Sequence, residues 1–331
     1  MKYFGRLAAL AGLILAVWVV LHDRPQAVLG LLETAGVGLV LAALVHVLPM
    51  LANARDWQLL ILGQPRPTLA RILQLVWIRE SVNCLLPVAR VGGEIVSFRL
   101  MRHLGVKGAA AAGSLVVDTQ LTLISQLLFT LGGIGYLLTH AASNALRLAG
   151  NLTWGVVALT PFLVLFALIQ HVGPFERFTQ LLNRVTGGKL VALVGPSAHV
   201  DHQIKMIWRR PGIILQYLLI WQPLQCLATS LEIWVALRFL GMPLSLLEAV
   251  VFESLIQAIS SAMFFVPGGL GVQEGGFILI GRALGLDPVL CLALAGARRV
   301  RDLLVYVPGL LAWQLAESWA KTPAAAVEAS P

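Results

Sequence analysis

The sequence is poor in charge and in the residues that usually carry soluble catalytic chemistry. Only 12% of its 331 residues are charged, about half the fraction typical of a soluble domain. Its three cysteines, Cys84, Cys226 and Cys291, show no CxxC or metal-ligand spacing, so we interpret them as packing residues. There is no Walker motif, no Asp-x-Asp and no His-x4-Asp, which argues against direct ATP use and against the usual transferase chemistry.

Long apolar stretches dominate what is there. Hydrophobic residues make up 58% of the chain and the mean hydropathy is +0.83, so we predict an integral membrane protein. Segments able to cross a hydrocarbon core of ~30 Å run over 4–22, 34–53, 108–138, 152–171, 212–237 and 288–317. We expect the first to be a retained helix, because no A-x-A-like site opens onto a soluble domain. The net charge of +8 indicates basic loops beside anionic lipid rather than nucleic-acid binding.

Two further apolar regions, 68–104 and 246–286, are interrupted by the stretches LPVARVGGE and VPGGLGVQE. If each region enters and leaves the membrane on the same side, most basic residues fall on one face. That face carries Lys2, Arg6, Arg55, Arg66, Arg71, Arg79, Arg99, Arg102, Lys107, Arg177, Arg184, Lys189, Lys205, Arg209, Arg210 and Lys321. The opposite face carries Arg24, Arg147, Arg238 and Arg282. The positive-inside rule then predicts a multi-pass protein of the bacterial cytoplasmic (inner) membrane with both termini in the cytoplasm.

The two interruptions belong to an internal repeat with an offset of 180 residues. Residues that match at this offset are Ser81 and Ser261, Pro87 and Pro267, Glu94 and Glu274, and Arg102 and Arg282. Each half, 1–148 and 149–318, holds three long spans and one interrupted region, and an odd number of spans inverts the second half. We therefore predict an all-α polytopic fold of two inverted repeats, each with three spanning helices and one re-entrant broken-helix hairpin, as in many secondary transporters. The alternative is that the repeat is a relic and the breaks reflect only the frequency of glycine and proline in membrane helices.

Little of the chain lies outside the predicted membrane segments. Residues 173–211 form the only sizeable loop, and its basic amphipathic stretches predict a cytoplasmic segment on the anionic leaflet. His199 and His202 are expected to be solvated rather than to bind a metal, and we predict no metal site and no cofactor. Residues 319–331 are predicted to be a disordered tail.

Several charges fall inside the predicted membrane segments, where each costs about 2.5 kcal/mol or more unless it faces protein or a cavity. Asp118 lies within 108–138, and the repeat relates its position to Arg298. We expect Asp118 to compensate an arginine of 288–317, and Arg298 to pair with Asp302 along their shared helix. A structural ion-pair network and an anion site both account for these charges.

The anion-site interpretation rests on helices that restart inside the membrane and present free N–H groups there. The predicted substrate-binding residues are Arg90, Gly92, Gly93, Glu94, Gly268, Gly269, Gly271, Glu274, Arg298 and Arg301, with Asp118 and Asp302 as ion-pair or coupling residues. The glycines allow close approach of the backbone, and arginine suits phosphate. Glu94 and Glu274 either cap their helices or exchange protons. With a headgroup bound, we expect Glu274 to be protonated or paired with Arg301.

These motifs resemble the flippase-like family that includes the transmembrane region of lysylphosphatidylglycerol synthase. The resemblance rests on P-x-x-R-x-G-G-E at 87–94, on VPGGLGVQE at 266–274 and on an arginine seven residues before Pro308, and it covers about 5–317. The stretches VVDTQLTLISQ and ARRVRDLLVYVPG are most similar to the branch associated with hopanoid biosynthesis. Many members carry Glu-Arg and then Asp in the span after the first break, whereas this chain offers only Asp118.

The resemblance implies that the protein moves an anionic or modified lipid between leaflets. The lipid is a phospholipid or an isoprenoid- or hopanoid-type lipid, and its movement is either coupled to protons or not. It does not carry over synthase activity, because the synthase has a separate soluble domain without a counterpart in this sequence, so we expect no enzyme activity. The alternatives are a membrane-embedded lipid-modifying transferase, for which no nucleophile–base pair is evident, and an accessory subunit of a lipid biosynthesis pathway. The expected partners are a membrane lipid with an anionic headgroup and lipid-biosynthesis enzymes, and no nucleic acid.

Overall fold

A computed structural model describes residues 36–63, 65–86, 92–140, 197–241, 244–262 and 272–319. Within these ranges the chain is helical, with short turns and no β-strand. The helices are α1 Val37–Val45, α2 Val47–Leu60, α3 Leu69–Leu85, α4 Gly92–His103, α5 Gly108–His140, α6 Ser197–Trp208, α7 Pro211–Gln216, α8 Gln222–Phe239, α9 Leu246–Ala262, α10 Val272–Ala283 and α11 Pro288–Trp319. The predicted spans 4–22 and 152–171, the loop residues 173–196 and the tail residues 320–331 lie outside the described residues.

The helix boundaries agree with the predicted breaks. Each interrupted region forms two helices, α3 and α4 in the first half and α9 and α10 in the second. Both α4 and α10 have 12 residues, and they begin 180 positions apart, as do α5 and α11. The turns that follow α4 and α10 contain Gly105 and Gly285, with φ of 83° and 78°, a left-handed backbone that glycine adopts without strain. The inverted orientation of the two halves stays a prediction.

Two prolines disturb helices close to buried polar side chains. Pro49 has no N–H to donate to the carbonyl of Val45, and the helix is interrupted at His46, between α1 and α2. Pro223 stands just after a π-helical segment, Tyr217–Trp221, in which the chain bonds five residues back instead of four. Such π turns often lie at functional sites, and Tyr217 is fully buried.

Helices from the first half of the chain pack against helices from the second half. Helix α3 of the first half packs against α11 of the second, and α9 of the second half packs against α5 of the first. Glycines allow both approaches, because a Cβ on Gly309 would collide with Ser81 Oγ and a Cβ on Gly133 would collide with Ser254 Oγ. Small residues at helix interfaces are the usual route to close packing in membranes.

Part of the predicted cytoplasmic loop is packed against the bundle rather than left for the leaflet. Helix α6 lies along α5, and its Val200, Ile204 and Ile207 are buried against Val117 and Leu121. The amphipathic pattern that predicted a lipid-facing segment has its apolar side covered by protein here. An amphipathic pattern predicts that a helix has an apolar face, but it does not predict whether lipid or protein covers that face.

Large apolar side chains are exposed on the surface, and several charged side chains are buried. Large exposed side chains recur on one face of α5 (Ile124, Leu128, Leu131, Leu138) and of α11 (Leu304, Leu311, Leu315). Buried charged residues are Asp56, Arg79, Asp118, Glu232, Glu253, Arg301 and Asp302. This is the reverse of a soluble protein and matches a bundle surrounded by lipid. In the described part of the chain, Gly108–Thr139 of α5 is the one helix that has both the length and the unbroken apolar composition of a membrane span.

Candidate functional site

Arg79 on α3 is the centre of a buried charged cluster in the first half. Its Nη1 donates to Asp118 Oδ2 on α5 at 2.8 Å, and its Nη2 donates to Asn53 Oδ1 on α2 at 2.7 Å. The guanidinium carbon lies 4.9 Å from the centroid of the Trp57 ring. Glu94 Oε2, from the first turn of α4, lies 3.7 Å from Nη1. The carboxylate that follows the first break is thus placed beside a buried cation.

The expectation that Asp118 compensates an arginine of 288–317 is wrong. Asp118 pairs with Arg79 of its own half, and its Oδ1 accepts a hydrogen bond from the Tyr217 hydroxyl at 2.8 Å. The positive-inside count had placed Arg79 among the loop charges, but only 6% of the residue is exposed. An arginine near a helix break cannot be assigned to water or to the bundle interior by charge pattern alone.

Gly93 lies where α4 packs closely against α3. Its N–H donates to Asn83 Oδ1 at 2.8 Å, and a Cβ at this position would collide with the backbone oxygen of Arg79 and the side chain of Asn83. The glycine therefore lets the start of α4 sit directly on α3. Gly92 begins α4 and is half-buried. The predicted site residues Arg90, Gly268, Gly269 and Gly271 lie outside the described residues.

A second cluster joins the two halves around His46. Its Nδ1 lies 2.6 Å from Glu232 Oε2 on α8, and its Nε2 lies 2.9 Å from the Tyr306 hydroxyl on α11. Arg301 Nη1 lies 2.7 Å from the same Nδ1. Arg301 Nε lies 3.2 Å from Glu232 Oε1 and 3.2 Å from Asp302 Oδ1. Two carboxylates, one imidazole and one guanidinium thus share one buried space.

The three arginines of α11 face three different partners. Arg298 donates to both oxygens of Glu253 on α9, at 3.0 and 3.3 Å. Arg299 donates twice to Glu274 Oε1 on α10, at 3.0 and 2.9 Å. The expected pairing of Arg298 with Asp302 is therefore replaced by one with Glu253. Glu274 contacts Arg299, and its protonation or pairing with Arg301 in the presence of a headgroup stays a prediction. Successive helix positions point about 100° apart, so neighbouring arginines reach different helices.

Glu80 connects the two clusters. It follows Arg79 on α3, its Oε2 lies 3.8 Å from His46 Nε2, and it accepts a hydrogen bond from the Tyr306 hydroxyl at 3.4 Å. The charged residues therefore form one band across the interior, with contributions from α1–α5 on one side and α8–α11 on the other. We use the term charged band for its members, which are His46, Asp56, Arg79, Glu80, Glu94, Asp118, Glu232, Glu253, Glu274, Arg298, Arg299, Arg301 and Asp302.

A cleft opens onto this band between α1, α8, α10 and α11. Its lining consists of Ala42, Glu232, Ile233, Ala236, Phe277, Leu294, Ala297, Arg298 and Arg301. Arg301 Nε is buried and forms no hydrogen bond within the described residues, although two carboxylates lie close to it. Glu94 Oε2 and Glu274 Oε2 also have no hydrogen-bond partner there. The band therefore retains unused hydrogen-bonding capacity at three charged groups.

Residues 6–309 match the family model described as the lysylphosphatidylglycerol synthase transmembrane region. The chain belongs to this family. No curated protein and no solved structure matches it. The match covers both halves and every element of the charged band, so the resemblance and the membrane location expected from the sequence are confirmed at the level of the family. The hopanoid branch, the lipid and the residue roles stay predictions.

The sequence-based prediction of site residues does not include about half of the charged band. His46, Glu80, Glu232 and Glu253 were not among the predicted site residues, and neither was Asp56, whose Oδ2 accepts from Gln222 Nε2 at 2.7 Å. The available signal was each charge inside an apolar run. It is present in 212–237 and in the region before the second break as well as in 108–138 and 288–317.

Proposed function

We propose that the protein is a transporter that moves an anionic or modified lipid between the leaflets of the bacterial cytoplasmic membrane, without enzyme activity. The observation that carries this proposal is the charged band, which both halves build inside a bundle with an apolar exterior. A headgroup crosses hydrocarbon only along a polar path, while its acyl chains can stay in lipid along the exposed leucines.

The chemistry of the band suits a phosphate-bearing headgroup. Arginine donates in a planar fork that matches phosphate oxygens, and Arg298 and Arg301 both line the cleft. Buried ion pairs are weak stabilisers, because apolar residues of similar volume often serve as well or better. A band of several such pairs is therefore better explained by a ligand than by stability alone.

We also propose that the halves are inverted repeats with re-entrant hairpins and that both termini are cytoplasmic. The repeated helix boundaries and the exchanged contacts of α3 with α11 and of α9 with α5 support this arrangement. The breaks would bring two helix starts, with Glu94 and Glu274 in their first turns, towards the band. A phospholipid and an isoprenoid- or hopanoid-type lipid both fit this chemistry, and enzymes of lipid biosynthesis are proposed partners.

A proteoliposome assay tests the transport. Phosphatidylglycerol with a fluorescent acyl chain is placed in both leaflets, and dithionite then quenches the outer leaflet. We expect wild-type protein to make nearly all the label accessible, Arg301→Gln to lose this activity and Arg301→Lys to keep part of it. The matched control is Arg282→Gln, since Arg282 is exposed on α10.

The outcome against the proposal is equally specific. If folded protein in liposomes moves no more lipid than protein-free liposomes do, transport of this lipid class is rejected. If mass spectrometry instead shows that the lipid has been chemically changed, a membrane-embedded transferase replaces the transporter.

A further inference from the structure

His46 lies between two groups that make opposite demands on it. Its Nδ1 is 2.6 Å from a carboxylate oxygen of Glu232 and 2.7 Å from Arg301 Nη1. A ring nitrogen donates to a carboxylate only when it carries a proton, and accepts from a guanidinium only when it does not. One nitrogen cannot do both at once. Glu232 contacts His46 and Arg301 through different oxygens, so the conflict lies between Nδ1 and Arg301 Nη1, which become two facing donors when Nδ1 carries a proton.

We propose that the cleft lined by Arg301 is a subsite for one phosphodiester group, and that protonation of His46 opens it. With Nδ1 unprotonated, Arg301 Nη1 donates to it and the guanidinium stays in place. With the imidazolium, Nη1 and Nδ1 are both donors, and their repulsion moves Arg301 towards the cleft. This inference deepens the proposed function and rests on it for the identity of the ligand as a lipid.

The groups that face His46 support this exchange. Glu232 on α8 and Glu80 on α3 both favour the imidazolium, and the Tyr306 hydroxyl on α11 can accept a hydrogen bond from its second ring N–H. Arg301 opposes it by like charge. Asp302 lies 3.2 Å from Arg301 Nε, so Arg301 is not stranded without a counter-charge when it moves away from His46. The net change is one added positive charge, which an anion in the cleft neutralises.

As it stands the cleft holds about 10 Å³, which is room for about one water molecule, so a phosphodiester enters only when Arg301 moves. The side chains beside Arg298 and Arg301 include the short ones of Ala42, Ala236 and Ala297, from three different helices. Arg301 has only 4% of its surface exposed, and its Nε forms no hydrogen bond within the described residues. Arg298 stands on the same wall, already fixed by its two hydrogen bonds to Glu253. The subsite thus combines one held arginine with one that can be released.

Binding measurements on the full chain in micelles of dodecyl maltoside, a detergent without phosphate, test the subsite. The probes are fluorescent phosphatidylglycerol and dimethyl phosphate, because phosphodiesters keep one fixed negative charge while histidine titrates between about pH 8 and about pH 5.5. We expect wild-type affinity for phosphatidylglycerol to rise about fivefold or more on acidification, as one coupled proton allows. Competition by dimethyl phosphate would assign the site to the phosphate alone. Without competition, the site takes lipid-borne phosphate.

Two variants should move in opposite directions. His46→Gln leaves Arg301 on Glu232, so binding should be weak at every pH. Glu232→Gln releases Arg301, so binding should be strong at every pH. His199→Gln is the matched control, since His199 is exposed on α6, and it should keep the wild-type profile. Thermal unfolding of each variant checks that it is folded.

The proposal is overturned if His46→Gln keeps the wild-type pH profile, or if both variants lose binding alike, as a purely structural cluster would. Its failure is separable from that of the transporter. Lipid movement with pH-independent binding would reject only the switch. Binding that follows the variants, in a protein that moves no lipid, would reject only transport.

Discussion

Arg79 and Asp118 form an ion pair inside the bundle, with Nη1 and Oδ2 2.8 Å apart and both residues almost completely buried. Helices α3 and α5 bring them together across the first break, and Tyr217 holds the second oxygen of Asp118. Because neither charge reaches water, each depends on the other. This dependence makes the pair a sensitive test of the buried charged band.

Asp118→Asn should therefore destabilise the protein by about 3–5 kcal/mol, because it strands the buried guanidinium of Arg79. The double variant with Arg79→Gln should recover part of this loss. Equilibrium unfolding in detergent micelles measures both. The control is Asp56→Asn, the same change at a fully buried position that accepts from the Gln222 amide and pairs with no arginine within 4 Å in the described part of the chain. Equal losses at 56 and 118 would contradict the pairing argument.

Gly93→Ala should destabilise the start of α4. The new Cβ collides with the backbone oxygen of Arg79, and backbone cannot move aside as a flexible side chain can. We expect a loss of about 1–3 kcal/mol, typical of overpacking. Gly132→Ala is the control, since a Cβ there meets nothing within 4 Å and alanine favours the helix. A neutral effect at Gly93 would mean that α4 does not rest on α3 as described.

The contact between halves has its own test at Gly133. A Cβ there collides with Ser254 Oγ on α9, so Gly133→Ala should lower the unfolding temperature. Adding Ser254→Ala removes that oxygen and should restore part of the loss. Gly135→Ala, on the same helix with open space around it, should be harmless. Absence of rescue in the double variant would argue against direct packing of α5 on α9.

Much of the fold follows from the sequence, because apolar run length and helix breakers act locally. The segments 108–138 and 288–317 correspond to α5 and α11, and the interrupted regions divide at the predicted breaks. The helices that follow the breaks, α4 and α10, begin 180 positions apart, which agrees with the offset of the matching residues. None of this required knowledge of which helices touch.

The pairing of charges could not be predicted in the same way. The partner of Asp118 depends on the direction in which Arg79 points from α3. A shift by one helix position changes that direction by about 100° and therefore changes which residue is contacted. His46 gave no signal beyond being a histidine in an apolar segment. Its importance comes from Glu232 and Arg301, which are 186 and 255 positions away. Long-range contacts of this kind are set by tertiary packing rather than by local pattern.

The re-entrant arrangement predicts that the two breaks approach each other. In a background without the three native cysteines, Ala89→Cys together with Gly269→Cys should crosslink with a short reagent. Ala89→Cys with His199→Cys should not, since His199 is exposed on α6. If the cysteines at 89 and 269 instead label freely from opposite aqueous faces, the hairpins are not re-entrant.

The sequence position of Glu274 allows two roles, a helix cap or a proton carrier, and the pH dependence of transport distinguishes them. Arg299 donates two hydrogen bonds to its Oε1, so the carboxylate has a fixed counter-charge, whereas His46 has competing neighbours. We therefore expect transport by Glu274→Gln to be slower but to keep the wild-type dependence on pH, and His46→Gln to lose that dependence. Dithionite assays in liposomes at several values between about pH 5.5 and about pH 8 measure both, within the range where histidine titrates. If transport by Glu274→Gln loses its dependence on pH while His46→Gln keeps the wild-type profile, the titrating group is Glu274 on α10 and not His46.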